Sequence, residues 1–349
     1  QRQMCIRDRH RNPIFFLFLF CFLSIPLLSQ VITIDSHIDI PFDYMENPQH
    51  DPGKITNMQV DLAKMKKGGL DSGFFVVYVP QGPLDKAGFK KAKLLAEKKF
   101  LAISKMTKTY SKQIGLALAP EDIIQLKNNN LLSAAIGIEN GYVIGEDLSL
   151  LDHYYSLGAR YMTLTHIGHN QIADSSIPSK RLNDEEELHG GISAFGKKAI
   201  KRMNKLGMMI DISHISDKAS LEAIKFSSAP VIASHSCVKS IADHPRNISD
   251  ELLFALKENE GVIQITAFAN YVEVNNDRFN SIISLGNKVA KLYGDKSFNP
   301  SLHSNKREYL EGIENINMEF PMPDIDDFID HIDYVVDLIG VDYLSLIHI

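Results

Sequence analysis

Tryptophan is absent from the 349 residues, and cysteine nearly so: Cys5, Cys21 and Cys237 are the three present. So few cysteines exclude a disulfide framework as the source of stability. A basic surplus is missing too. The net charge is −6, which leaves no positive field to recruit nucleic acid. No glycine-rich phosphate loop follows the first strand-like run, which counts against a nucleotide-binding open sheet. No repeat with a period of roughly 20–50 residues is present, which excludes a solenoid. What is there is ordinary for a folded protein: 44% hydrophobic and 23% charged residues, with 18 Phe and 12 Tyr to fill a core. The length suits one large α/β barrel or two medium domains, and no second domain boundary is visible.

The N-terminus differs from the rest. Arg7, Arg9 and Arg11 precede an apolar run from Ile14 to Leu23, and Ser24 to Gln30 follow, with Ser24, Pro26 and Ser29 among them. A basic start, a short apolar run and a small-residue exit read as an export signal over residues 1–29. The run is shorter than the roughly 20 residues of a spanning helix, which places a membrane anchor second. Lipidation at Cys21 is disfavoured, because Phe20 stands where a small residue is expected. Cleavage near Ser29 leaves Cys237 alone. The expected product is exported, to a periplasmic, extracellular or cell-surface location.

From residue 30 onward, short apolar runs recur, each followed by a polar cluster and then a helix-like stretch. They cover residues 31–34, 73–79, 133–138, 160–165, 207–212, 230–234, 261–268 and 341–347. Their apolarity is nearly continuous rather than alternating, as in parallel strands buried on both faces. Between them, residues 91–110 and 195–206 carry apolar positions at helical spacing. Ser216-Asp217, Ser249-Asp250 and Pro120-Glu121-Asp122 mark helix starts. Eight such runs alternating with helices predict an α/β fold of the (β/α)₈ barrel type, with an open doubly wound sheet as runner-up. Two long connections, 166–191 and about 269–323, fall after the fourth and seventh runs. Both lie on the face where barrel active sites form.

Polar residues gather where these runs end: His37 and Asp39 at the first, Glu139 at the third, His166 at the fourth, His214 at the fifth and His235 at the sixth. His37 and Asp39 are two apart, so on a strand they point to one side. Taken singly, each is as readily a hydrogen-bonded strand end, a salt bridge or a core histidine. Taken together, three histidines and two carboxylates ending four strands on one rim form a donor set suited to zinc. Two metals sharing a carboxylate fit metal-assisted hydrolysis.

The chain resembles the renal-type (membrane) dipeptidases of the metal-dependent amidohydrolase-like barrels, from about Ile32 to Tyr343. The residues carrying this are Asp35-Ser36-His37-Ile38-Asp39, Gly137-Ile138-Glu139-Asn140-Gly141, Leu164-Thr165-His166, the stretch Gly190 to Gly196, the stretch Met203 to His214, Ser234-His235-Ser236 and His244-Pro245-Arg246-Asn247. The resemblance implies two zinc ions: His37 and Asp39 on one, His214 and His235 on the other, Glu139 bridging, and a hydroxide between the metals as nucleophile. It implies that His166 contacts the substrate near the scissile carbonyl and that Arg246 pairs with the substrate's free carboxylate, for which a guanidinium fork is suited. Without the family, Arg246 reads as a surface residue in the turn after Pro245. The implied activity is hydrolysis of dipeptides, with a D-residue accepted at the C-terminal position. A homodimer and a membrane tether are the further partners considered.

The pattern departs from the family at the C-terminal end. A further Asp, expected at the end of the eighth strand to contact the substrate amino group, would fall near Ile349. Asp342 lies too early to replace it. We therefore expect a barrel truncated at its eighth strand, with foreign residues joined at Gln1 to Asp8 and over the last six positions. Two alternatives stand beside the dipeptidase: another metal-dependent amidohydrolase, and an inactive metal-bound barrel that binds peptides.

Overall fold

The computed structural model describes residues 31–347. By contact density the chain divides after Ile32, and the fold described here is the unit from Thr33 onward. The expectations about the export segment, Cys5, Cys21 and the position near Ile349 lie outside the described residues.

The elements run β1 (Ile34–Asp39), α1 (Leu62–Gly68), β2 (Ser72–Tyr78), α2 (Lys86–Thr109), β3 (Ile114–Leu116), α3 (Pro120–Asn128), β4 (Leu132–Glu139), α4 (Ser149–Ser156) and β5 (Ala159–Thr163). They continue with α5 (Ala194–Leu206), β6 (Met209–Asp211), α6 (Asp217–Phe226), β7 (Ile232–Ser236), α7 (Asp250–Glu258) and β8 (Val262–Thr266). After β8 come α8 (Ala269–Val272), α9 (Asn276–Leu292), α10 (Pro300–His303), α11 (Arg307–Glu319), α12 (Ile325–Ile339) and β9 (Leu344–Ile347). All pairings are parallel, in the order β1-β2-β4-β5-β6-β7-β8-β9, and β3 pairs with β4 off this path. The eight strands of this path, with β3 as a ninth at the side, form one curled parallel sheet covered by helices, the α/β barrel-like fold expected from the apolar runs. No β9–β1 ladder closes it among the described residues.

The continuous apolarity has the expected cause. All eight residues of β4 are buried, because helices cover one face and the barrel interior fills the other. Local signals hold as well. Ser193, Ser216 and Ser249 each accept a backbone N–H as helix caps, and Gly207 ends α5 in the left-handed region at φ 74°. Boundaries shift, and one strand is added. The run at 160–165 is strand only to Thr163, and that at 207–212 begins at Met209. Residues 341–343 form a 3-10 turn, with strand only from Leu344. The three-residue β3 was not foreseen, so Glu139 ends the fourth strand of the chain and the third of the main path. The connection read as 269–323 is mostly helical, with α9 and α11 packed on each other. No helix among the described residues is long and apolar enough to cross a membrane.

Gly137 shows how sheet and site are linked. It sits opposite Tyr161 in the β4–β5 register, and a Cβ added there would lie 2.1 Å from Tyr161 Cζ. The missing side chain lets the Tyr161 ring lie across β4 and reach β1. Gly137→Ala is expected to cost about 1–3 kcal/mol by overpacking and to displace Tyr161. Denaturant unfolding checks the cost, and an unchanged midpoint would refute it.

Cys237 is buried, with its Sγ donating to Thr266 O at 3.1 Å. Burial pushes its thiol up to about 12. The native protein is expected to be inert to a thiol reagent at neutral pH until denaturant exposes Cys237. A rapid native reaction would contradict this.

Candidate metal centre

The chemistry converges on Glu139, the last residue of β4. Its carboxylate is buried at 4% exposure with four imidazoles around it. His214 Nε2 lies 3.1 Å and His235 Nε2 3.5 Å from Oε1, with His166 Nε2 at 3.6 Å from the same oxygen. His37 Nε2 lies 3.6 Å from Oε2. Two groups are compact enough to hold an ion: His37 with Glu139 and His235, and Glu139 with His166 and His214. Each side chain comes from the C-terminal end of a different strand, or from the residues just after it. Parallel strands place those ends on one rim.

Of the residues singled out in the sequence, His37, Glu139, His214 and His235 are almost fully buried here. His166 joins them with its side chain 19% exposed, and the Tyr78 ring packs against it at 4.7 Å between centroids. Asp39 sits at the lip. Its side chain is 57% exposed, Oδ1 is 4.0 Å from His37 Nε2, and it belongs to neither compact group. Arg246 is not the surface residue that its turn alone suggested. It is 3% exposed because its guanidinium folds inward. Nη2 donates to His235 O at 2.9 Å, the Tyr271 ring lies 5.1 Å away, and Nε has no partner.

Electrostatics separate the protonation states. Burial would raise the Glu139 carboxyl, but the charges of His37 and His166, with the His214 and His235 rings close beside it, hold it well below the usual carboxylate range. Burial would lower His37, yet the charge and hydrogen bond of Glu139 lift it to about 9. Burial and the charge of His37 push His235 down to about 3, and burial with Arg246 holds His214 well below its ordinary value. His214 and His235 therefore stand neutral, the state in which imidazole binds metal.

Two further contacts bear on the fit to a metal. His214 Nε2 and His235 Nε2 stand 2.8 Å apart. Two imidazoles on one tetrahedral zinc, with Zn–N bonds of about 2.0–2.1 Å, stand about 3.3 Å apart, so a small separation admits an ion. His214 also has φ 70°, a left-handed backbone costly for a residue with a side chain. Its carbonyl is held by Ser176 N at 2.8 Å and by the Thr165 and Ser175 hydroxyls at 3.3 Å. Strain at this residue, with neighbours that enforce it, fits a side chain kept for its position. The residues present fit a metal.

Sequence reasoning left several contributors without a role. Asp174 accepts the N–H groups of Leu188, His189 and Gly191, folding the 166–191 connection back over the rim. Lys99 of α2 is buried, donates to Ile40 O at 2.7 Å, and is lowered to about 8 by burial. The Tyr161 hydroxyl lies 3.2 Å from His37 Nδ1, and Asp211 accepts the hydroxyl of Ser234, whose Oγ lies 2.8 Å from His235 Nδ1. Asp211 stood in the sequence three residues before His214, and nothing in that spacing showed what its carboxylate would touch.

Comparison with known proteins agrees with this geometry. The family model described as membrane dipeptidase (peptidase family M19) matches residues 24–347. Dipeptidase verJ of Clonostachys rogersoniana is 31% identical over 256 residues, covering 70% of this chain and 64% of that protein. Dipeptidase 3 of Mus musculus is 31% identical over 248 residues, covering 70% of this chain and 48% of that one. The chain thus spans between about half and two thirds of the length of these relatives. Among solved structures, PvdM from Pseudomonas aeruginosa superposes with a TM-score of 0.77 at 27% identity, over 91% of this chain and 83% of that one. A metallopeptidase from Rhodobacter sphaeroides, solved with a phosphinate mimic of L-Ala-D-Ala, shares the fold at TM-score 0.67 and 18% identity, over 91% and 85% of the two chains. With its barrel, its rim of histidines around Glu139 and a family match over nearly its whole length, the chain belongs to the membrane dipeptidases of peptidase family M19.

Proposed function

We propose that this chain is a dinuclear zinc dipeptidase. The observation that carries the proposal is the buried Glu139 carboxylate, with four imidazole Nε2 atoms 3.1–3.6 Å from its two oxygens. Glu139 has an oxygen toward each side and would bridge. His37, with Asp39 at the lip, would hold one zinc, and His214 with His235 the other. Zinc held there would supply a hydroxide at neutral pH and polarise a carbonyl.

The chain's own residues supply the rest. His166 is the most open of the four histidines and is taken as the substrate's partner rather than a ligand, placed to stabilise charge developing on the scissile carbonyl oxygen. Arg246 is buried behind His235 with an unpartnered Nε, and would take the substrate's free carboxylate. A carboxylate fixed that close leaves room for one residue on each side of the scissile bond. Acceptance of a C-terminal D-residue is part of the proposal, in line with the L-Ala-D-Ala mimic held by the Rhodobacter sphaeroides structure. The basic and apolar segment before residue 30 supports assigning the protein to an exported location.

The test is hydrolysis of Leu-D-Ala and Leu-L-Ala by zinc-loaded protein, with and without a chelator. Cleavage that the chelator abolishes and zinc restores supports the reading. A zinc-loaded, folded protein that cleaves neither dipeptide overturns it. A dipeptide amide, which lacks the free carboxylate, separates a dipeptidase from a broader amidohydrolase.

A further inference from the structure

Behind the metal centre lies a carboxylate that the proposed reaction does not use. Asp211, the last residue of β6, is fully buried. It accepts four hydrogen bonds from groups that can only donate toward it. Its Oδ1 takes the N–H of Ser213 at 3.0 Å and of Ser234 at 2.9 Å. Its Oδ2 takes the Ser234 hydroxyl at 2.6 Å and the Thr163 hydroxyl. Ser234 Oγ in turn lies 2.8 Å from His235 Nδ1.

A hydroxyl carries one proton. Ser234 gives its proton to Asp211, an acceptor-only carboxylate, so Oγ meets His235 with a lone pair. His235 must then carry its proton on Nδ1, which leaves Nε2 bare toward Glu139 and His214. The same logic recurs on the other side of the site. The Tyr161 hydroxyl is 3.0 Å from Ser36 O, an acceptor, and 3.2 Å from His37 Nδ1. Asp211 also ties down the backbone on either side, through Ser213 next to the strained His214 and through Ser234 next to His235.

We propose that Asp211 is a positioning residue that sets the tautomer of His235 through Ser234, and so decides that Nε2 faces the metal. This rests on the zinc-site reading above and deepens it. Groups that hydrogen-bond the far nitrogen of a metal-binding histidine characteristically alter metal affinity by about 10–100-fold.

The experiment compares three variants with wild type, by zinc affinity against a chromogenic chelator and by ¹⁵N NMR of the histidine side chains. Ser234→Ala removes the relay and keeps the Asp211 backbone bonds. It is expected to weaken zinc binding about 10–100-fold and to remove the Nδ1–H preference of His235. Thr163→Val removes the other hydroxyl from the same Oδ2 without touching the relay, and is expected to leave affinity within about twofold and the tautomer unchanged. Asp211→Asn can direct its amide N–H only toward the two hydroxyls, because Oδ1 faces two backbone N–H groups; that turns the Ser234 proton toward His235 Nδ1, and the variant is expected to reverse the His235 tautomer and to bind zinc at least as weakly as Ser234→Ala. Equal losses in Ser234→Ala and Thr163→Val, or an unaltered His235 tautomer in Ser234→Ala, overturn the inference. Wild-type protein that binds no zinc overturns the site reading instead, which keeps the two failures distinct. If Asp211→Asn does not fold, the Ser234 and Thr163 pair still decides the matter.

Discussion

Replacing Glu139 by glutamine is expected to abolish zinc retention and to lower kcat/KM by about 10²- to 10⁴-fold. Four imidazoles surround this one carboxylate, and it supplies the negative charge common to both compact groups. Removing one partner of a buried charged cluster costs about 3–5 kcal/mol, and each 1.36 kcal/mol is a factor of ten in rate. Metal content after dialysis, measured beside dipeptide hydrolysis, reads both effects. A Glu139→Gln protein with wild-type zinc and wild-type activity would refute the bridging role.

The same variant carries a signature in the metal-free protein. His37 titrates near 6.5 in the unfolded chain and is held near 9 in the folded one, burial opposing and Glu139 prevailing. Between those values the folded state binds the extra proton. Its contribution to stability is therefore complete below pH 6.5 and is lost as pH rises toward 9. Glu139→Gln removes the charge that lifts His37, so this loss should disappear from its stability profile. Chelated wild type and variant, unfolded in denaturant at several pH values, make the comparison. Parallel profiles would argue against the pairing.

The second large effect is expected at Arg246. Arg246→Met should raise KM for a dipeptide by about two orders of magnitude while leaving kcat within a few-fold. Losing one partner of a buried, hydrogen-bonded charge pair costs about 2–5 kcal/mol, and under the proposed function this one would be formed only with the substrate's carboxylate. A dipeptide amide, already a poor substrate, should suffer no further loss. The Arg246 side chain also donates to His235 O, so zinc content is followed alongside. A variant that loses zinc in proportion to activity would assign Arg246 to holding the metal site rather than the substrate. Equal losses on dipeptide and amide would do the same.

Much of the barrel was legible along the chain because two of its causes are local. Strands buried on both faces need nearly continuous apolar side chains, and the run at 133–138 became the fully buried β4. Helix starts at Ser216 and Ser249 needed only a side chain able to accept a backbone N–H. The errors have local causes too. Ile114-Gly115-Leu116 is too short to show a period, and it is a strand because β4 offers it an edge. The helices after β8 fell in a segment read as a connection, and α11 carries no fully buried side chain to mark its face.

Sequence alone determined which residues end the apolar runs. It therefore picked out His37, Glu139, His166, His214 and His235, because a strand that must be buried carries its first tolerated polar residue to the rim. The tertiary structure decided how those rings are used. It turned Arg246 inward, left Asp39 at the lip, and set Tyr161 over Gly137 so that its hydroxyl meets His37, 124 residues away in the chain. It brought Asp211 within reach of Ser234 and, through it, His235. These contacts depend on strand register and on the curl of the sheet, which bring together residues far apart in sequence. A hydrogen bond that fixes a ring's orientation is good only over a few tenths of an ångström, and no spacing along the chain carries that precision.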